Sequence, residues 1–187
     1  MRSAAGGFTM IELMVAIAIG ALLIFLAAPS FTTFLRNSEI RSTSESIVNG
    51  LRAAATEAAN RNKRVTFELT NGGTNADWQF WVLGDDDATH KVLQSYAKAE
   101  GGKNSAIAVT PAGQLKVVFN GLGRVEIDPA NPDDHIRMID IASVVPGEGR
   151  PLRIIVDDPA PPAANKPRGL RLCDPDTNLP ADDPRRC

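Results

Sequence analysis

The sequence predicts an α+β protein in which one long N-terminal helix packs on an antiparallel β-sheet domain. Two observations carry this. Up to about Asn60, apolar residues run unbroken or recur at three-, four- and seven-residue spacing, and after Arg64 the period falls to two. A single helical pattern followed by many short strand patterns, with turn residues between them, is the order of an α+β module.

The helix has two halves. From Leu13 through Leu35 there is no charged residue, a run long enough for a bilayer, since a membrane helix needs about 20 apolar residues. A secretory signal would have a shorter core and a small-x-small cleavage site. The nearest such site here, Leu26-Ala27-Ala28, is followed at once by Pro29. A plain anchor fits the length but leaves Glu12 unexplained, because a carboxylate costs about 2.5–3.5 kcal/mol at a membrane-helix centre and less near an end. Downstream, Ile40, Ile47, Val48, Leu51, Ala54, Ala55 and Ala58 form an apolar stripe, with Arg41, Glu45, Arg52 and Glu57 off it. Asn60-Arg61-Asn62-Lys63-Arg64 reads as the helix end, with cations near the last carbonyls. Phe8 to Asn60 as one helix would be about 80 Å long. A kink is expected at Pro29, which removes a backbone hydrogen bond, and Gly50 reads as a second weak point.

Strand patterns follow at Val65–Leu69, Trp78–Val82, Lys91–Tyr96, Ala106–Thr110, Leu115–Phe119, Arg124–Ile127, Ile136–Val145, Leu152–Val156 and Gly169–Cys173. Turn chemistry separates them at Asn71-Gly72-Gly73, Asp85-Asp86-Asp87, Gly101-Gly102, Asn120-Gly121 and Pro146-Gly147. Trp78, Phe80 and Trp81 read as core and sheet-face residues. Asp157–Pro167, rich in Pro and Ala, reads as an extended connection. The organisation expected is residues 1–7 as a leader, 8–35 as the apolar half of the helix, 36–62 as its amphipathic half, 63–156 as the β domain, and 157–187 as the tail.

At 187 residues, the chain beyond the apolar run suits one small domain. A net charge of −2 argues against bulk affinity for nucleic acid or anionic membranes and leaves only local basic patches. Two cysteines, two histidines and no C-x-x-C spacing give no zinc site. Asp85-Asp86-Asp87 lacks the oxygen count and loop spacing of a calcium site. His90 and His135 stand in turn-like polar contexts with no nucleophile at a readable spacing. No metal, no cofactor and no enzyme activity are expected.

Gly6-Gly7-Phe8-Thr9-Met10-Ile11-Glu12 resembles the type III signal of type IV pilins and pseudopilins. The resemblance implies that a prepilin peptidase cuts after Gly7, that Phe8 is then N-methylated, and that Glu12 is the family's glutamate. Pro29 stands where pilins also carry a proline. The leader departs mildly, holding Arg2 as its single cation, and Met10 stands where leucine is more usual. In a bundle of such helices, the Glu12 carboxylate of one subunit would meet the Phe8 ammonium of another, each lowering the cost of keeping the other in hydrocarbon. A tolerated charge near the membrane interface is the alternative. The partners implied are the peptidase, the inner membrane, and other pilin or pseudopilin subunits met through helix packing.

The helix-then-strands order and the Val118-Phe119-Asn120-Gly121-Leu122-Gly123-Arg124 segment look like the GspH/FimT group of minor pilins and pseudopilins, which implies two small sheets packed on the helix. With Phe8 at the inner membrane, the domain lies in the periplasm, where disulfides persist. Cys173 and Cys187 would then close a loop of about 15 residues, worth ~3 kcal/mol in the chain-entropy model. Free thiols are the alternative. DNA-binding minor pilins of the FimT type carry Gly-Arg-x-Arg near a C-terminal cysteine. Here Lys166, Arg168, Arg171, Arg185 and Arg186 resemble that set, but the order Arg168-Gly169-Leu170-Arg171 only approximates it. Asp174, Asp176, Asp182 and Asp183 offset the charge, which favours a solvated rim of Asp–Arg pairs over DNA as a partner. The first functional expectation is a minor type IV pilin that helps to initiate pilus assembly. DNA capture for uptake and a type II secretion pseudopilin are the alternatives, with an uncleaved periplasmic anchor behind them.

Overall fold

The structure is a computed structural model that describes residues 7–70, 76–83, 90–97, 105–157, 169–180 and 182–187. Most of the leader lies outside these residues. So do the turns expected at Asn71-Gly72-Gly73, Asp85-Asp86-Asp87 and Gly101-Gly102, and Asp158–Arg168 of the Pro-rich connection. The chain divides into two compact units, residues 1–35 and 36–187.

One helix, α1 (Met10–Arg61), runs from the first unit into the second. Thr9 caps its start, the hydroxyl oxygen accepting from the Glu12 amide at 3.3 Å. Its end is closed by Asn62 in the left-handed region (φ 50°). Two 3.3 Å bonds, from the Lys63 amide to the Ala58 carbonyl and from the Asn62 amide to the Ala59 carbonyl, satisfy the last carbonyls as a Schellman motif does. In the first unit the large apolar side chains from Leu13 to Leu35 are half or more exposed. Among the described residues no single helix is long and apolar enough to cross a membrane. The segments Met10–Leu26 and Ser30–Arg61 pass that test together, across a bend at the break that holds Pro29.

In the second unit the helix shares one buried core with two antiparallel sheets. The strands are β1 (Val65–Leu69), β2 (Trp78–Leu83), β3 (His90–Tyr96), β4 (Ser105–Thr110), β5 (Lys116–Phe119), β6 (Met138–Ser143), β7 (Leu152–Ile155) and β8 (Arg171–Cys173). They form two four-stranded sheets, in the orders β3-β2-β1-β5 and β4-β6-β7-β8. Register follows the alternation. Val65, Phe67 and Leu69 of β1 face Val82, Phe80 and Trp78 of β2, and all six are buried. In the second sheet Ile139 and Ile141 of β6 and Ile154 of β7 turn the same way into the core. The stripe foreseen on the helix is buried at Ile40, Ile47, Val48, Leu51, Ala54 and Ala58, with Ala55 at its rim. Ile136 ties the sheets together: its amide donates to the Lys116 carbonyl of β5, while the next amide, of Arg137, donates to the Thr110 carbonyl of β4.

Four local expectations are corrected. Arg124–Ile127 is not a strand. Val125 forms only an isolated bridge to Phe119, because Asn120–Arg124 closes a tight turn whose glycines touch the helix end. A Cβ on Gly123 (φ +71°) would lie 2.9 Å from the Ala55 carbonyl oxygen, and one on Gly121 2.6 Å from Asn62 Oδ1. The strand expected over Ile136–Val145 is confined to Met138–Ser143, since Ile136 and Arg137 step between sheets and Val144–Val145 lead into a turn. The strand expected over Gly169–Cys173 starts at Arg171, Gly169 taking a φ of +109° that no ladder accepts. Gly50 is a point of close packing and not a weakness. It is buried under the Trp78 indole, where a Cβ would come within 2.8 Å of the ring.

Gly50→Ala therefore sets about 1 kcal/mol of gained helix propensity against the about 1–3 kcal/mol cost of overpacking. Denaturant unfolding should show a net loss of stability in the variant. Equal or greater stability would mean that Trp78 does not lie over the helix as described.

Candidate functional site

Three features of the chain carry functional residues: the helix start, the place where the second unit grips the helix, and the C-terminal tail.

Gly7, Phe8 and Thr9 precede the helix, and Phe8 is exposed. Thr9-Met10-Ile11-Glu12 is a capping-box spacing, with Thr9 at the cap and Glu12 three residues on. The carboxylate of Glu12 thus sits in the first turn, where it complements the positive end of the helix dipole. This second role for Glu12 was open to reading from the S/T-x-x-E pattern and was not drawn from it. It accounts for Glu12 in a single chain, without any neighbour.

The grip on the helix is made by the turn that follows β6. Glu148 pairs with Arg36, the residue directly after the uncharged run. The Asn37 Oδ1 accepts from the Arg150 amide at 2.7 Å. Gly149, at φ +81°, leaves room for Ile40: a Cβ there would meet Ile40 Cδ1 at 2.9 Å. Further along the helix, polar pins repeat the grip. The Trp78 Nε1 donates to Ser46 Oγ at 3.1 Å, and the Thr43 and Ser105 hydroxyls share a buried bond at 3.3 Å.

In the tail Cys173 and Cys187 are joined by a disulfide, with Cα atoms 5.1 Å apart. The terminal residues fold back on Asp174. Its amide donates to the Arg185 carbonyl at 2.6 Å, and its carbonyl accepts from the Cys187 amide at 3.0 Å. Arg185 forms a two-pronged pair with Asp183 at 2.7 and 3.1 Å. Arg186 donates to the Leu179 carbonyl at 2.9 Å, Arg171 is half-buried in β8, and Lys166 and Arg168 lie outside the described residues. Among the described basic residues of the tail, Arg185 and Arg186 are thus engaged within the tail itself.

The histidines differ from their expected setting. His135 is buried, its Nε2 without a hydrogen bond and 3.7 Å from Asp157 Oδ2. Its sequence neighbours are polar, but Ile136 draws the segment into the core. His90 opens β3 with its ring 5.0 Å from that of Trp81. Trp78 and Phe80 are core residues, while Trp81 is only half-buried. Among the described residues no group of three or more His, Cys, Asp and Glu is placed to hold a metal.

A family model described as Type II transport protein GspH matches residues 43–159, more than half of the chain. The chain belongs to this family. The GspH match begins within the buried helix stripe, after Arg36, Asn37 and Ile40, and runs through β7, so it covers every strand but β8. A second model, the prokaryotic N-terminal methylation motif, matches residues 2–28 and takes in Gly7, Phe8 and Glu12. Among solved structures the chain is similar to the minor pseudopilin EpsH from the type 2 secretion system of Vibrio cholerae. That similarity has 16% identity over 73% of this chain and 98% of that one, with a TM-score of 0.49. No curated protein matches.

The tail of this GspH-family chain makes a pH-dependent prediction. The Arg185 side-chain bond, then its backbone bond, hold the Asp183 carboxyl down at about 2. A depressed carboxyl contributes stability that is present above its unfolded value of about 3.9 and is lost as pH falls through about 2. Carboxyl NMR titration should place Asp183 near the lower figure, and Arg185→Gln should raise it towards the ordinary range. An unchanged midpoint in the variant would mean that the pair does not form.

Proposed function

We propose that this chain is a minor subunit of a helix-packed fibre of the type II transport kind. Prepilin peptidase cuts it after Gly7, Phe8 is N-methylated, and α1 holds it in the inner membrane with the domain in the periplasm. The observation that carries this reading is the contrast along one helix. From Leu13 to Leu35 the apolar side chains are uncovered, whereas from Ile40 onward the stripe is sealed by the chain's own sheets. Uncovered apolar surface on this scale needs lipid or other helices around it. The methylation motif over residues 2–28 supports the processing step, and the GspH family supports the kind of fibre.

Glu12 has successive tasks in this account. In the isolated chain it completes the helix start. In the fibre its carboxylate faces the ammonium that cleavage creates on a neighbour's Phe8. Pro29, at the break between the two helical segments, lets the membrane half adjust to its neighbours without disturbing the sealed half. A minor pilin of a type IV pilus that helps to initiate assembly would use the same helix residues. The family's type II transport description supports the secretion fibre as the first reading.

Glu12→Gln keeps the side chain's shape and removes its charge. Membrane insertion should persist, while the fraction found in fibres should fall tenfold or more, since orphaning a buried ammonium costs about 3–5 kcal/mol. Incorporation at the normal level would contradict the charge-pair account.

A further inference from the structure

We propose that the turn after β6, carrying Val144, Val145 and Arg150, is a seat for the bilayer surface on which the domain rests before it enters a fibre. The proposal rests on the membrane-anchored reading above and adds a second, reversible contact to it.

Val144 and Val145 are 55% and 43% exposed, although β6, which they leave, is otherwise a core strand. They are adjacent apolar side chains on a turn that is held at several other points. The Val145 amide is held by Ser143 Oγ at 3.2 Å, and the Val145 carbonyl accepts from the Glu148 amide at 3.2 Å. Glu148 is spent on Arg36, and Gly149 and the Arg150 amide are spent on Ile40 and Asn37. The turn is therefore fixed, and it is fixed to the first residues after the uncharged run. A stretch that enters hydrocarbon through Leu35 leaves Arg36 and Asn37 at headgroup depth, where Arg commonly sits. The valines are carried on the turn that grips those two residues.

The charge of the turn fits the same surface. Its one carboxylate is neutralised by Arg36. The Arg150 guanidinium makes no ion pair or side-chain hydrogen bond among the described residues, and it reaches Asp183 only as a long-range attraction. Two apolar side chains beside an uncommitted guanidinium match the boundary of a phospholipid layer, with acyl ends below and phosphates at the level of the cation. A protein partner would leave the guanidinium to be paired by a carboxylate, which is why the test must distinguish the two.

The exposed side chain of Leu122 provides an internal control. It stands on the turn whose Gly123 touches Ala55, 18 residues along α1 from Asn37, about 27 Å at 1.5 Å per residue. The full chain would be reconstituted in vesicles of phosphatidylglycerol and brominated phosphatidylcholine. Single tryptophans would be introduced by Ile17→Trp, Val145→Trp or Leu122→Trp, and the emission of the unmodified chain subtracted. The expected result is strong quenching for Ile17→Trp, quenching by about half for Val145→Trp, as suits a side chain at interfacial depth, and none for Leu122→Trp. Arg150→Gln in the Val145→Trp background should weaken the quenching. Quenching at Ile17→Trp with none at Val145→Trp would overturn the seat and leave the anchor standing. Absence at both would overturn both. A blue-shifted but unquenched Val145→Trp would mean a protein covers the turn, and would overturn the lipid assignment.

Discussion

One face of one helix organises the domain. Ile40, Ile47, Leu51, Ala54 and Ala58 are all fully or almost fully buried, and they share one core with apolar residues of both sheets and of the segments between strands. The face is made of large residues at its start and small ones towards its end. Where it is large, Ile40 is met by the glycine of the Pro146–Arg150 turn. Where it is small, Gly50 admits the Trp78 indole and Ala55 admits the backbone of Gly123. Neither sheet could keep its register without this graded surface, since each presents only one apolar side to the core. Hydroxyls fix the alignment that packing alone leaves loose: Ser46 holds Trp78 of β2, and Thr43 holds Ser105 of β4. Buried polar groups that are satisfied in this way favour one arrangement over its near alternatives.

The same helix also carries the apolar half in the first unit. Up to Leu35 it carries apolar side chains that the chain itself does not cover. From Arg36 the grip begins, with an ion pair, a side-chain-to-backbone bond and a glycine contact within five residues. A fibre subunit needs this division. In the proposed role, the apolar half would exchange lipid for neighbouring helices while the sealed half stays closed. The tail adds closure at the opposite end of the sequence. The disulfide and the Asp174 bonds tie down residues that have little apolar surface of their own.

Much of this was legible in the sequence because two periods of hydrophobicity are hard to mistake for each other. The helix, its buried stripe and eight strand positions follow from them. What was not legible depends on which groups meet across the fold. Gly50 looked like a flaw because nothing in its neighbours announces an indole above it. His135 read as part of a polar turn because its neighbours are polar, while Ile136 draws it into the core. Arg124–Ile127 alternates like a strand yet serves as the return of a tight turn, a distinction that rests on Gly121 and Gly123 meeting the helix end. The basic residues of the tail are close in sequence, but Asp183 and the Leu179 carbonyl claim two of them locally. The capping box at Thr9–Glu12 is the opposite case, a local signal overlooked beside a more specific one.

The central claim is that the chain works only after a new amino terminus has been made next to Glu12. The most direct test is the N-terminal mass of the protein isolated from its native membrane. The account predicts a chain that begins at methylated Phe8. An intact Met1, or a terminus near Ala28, would contradict it, because no ammonium would then exist for the Glu12 carboxylate to meet.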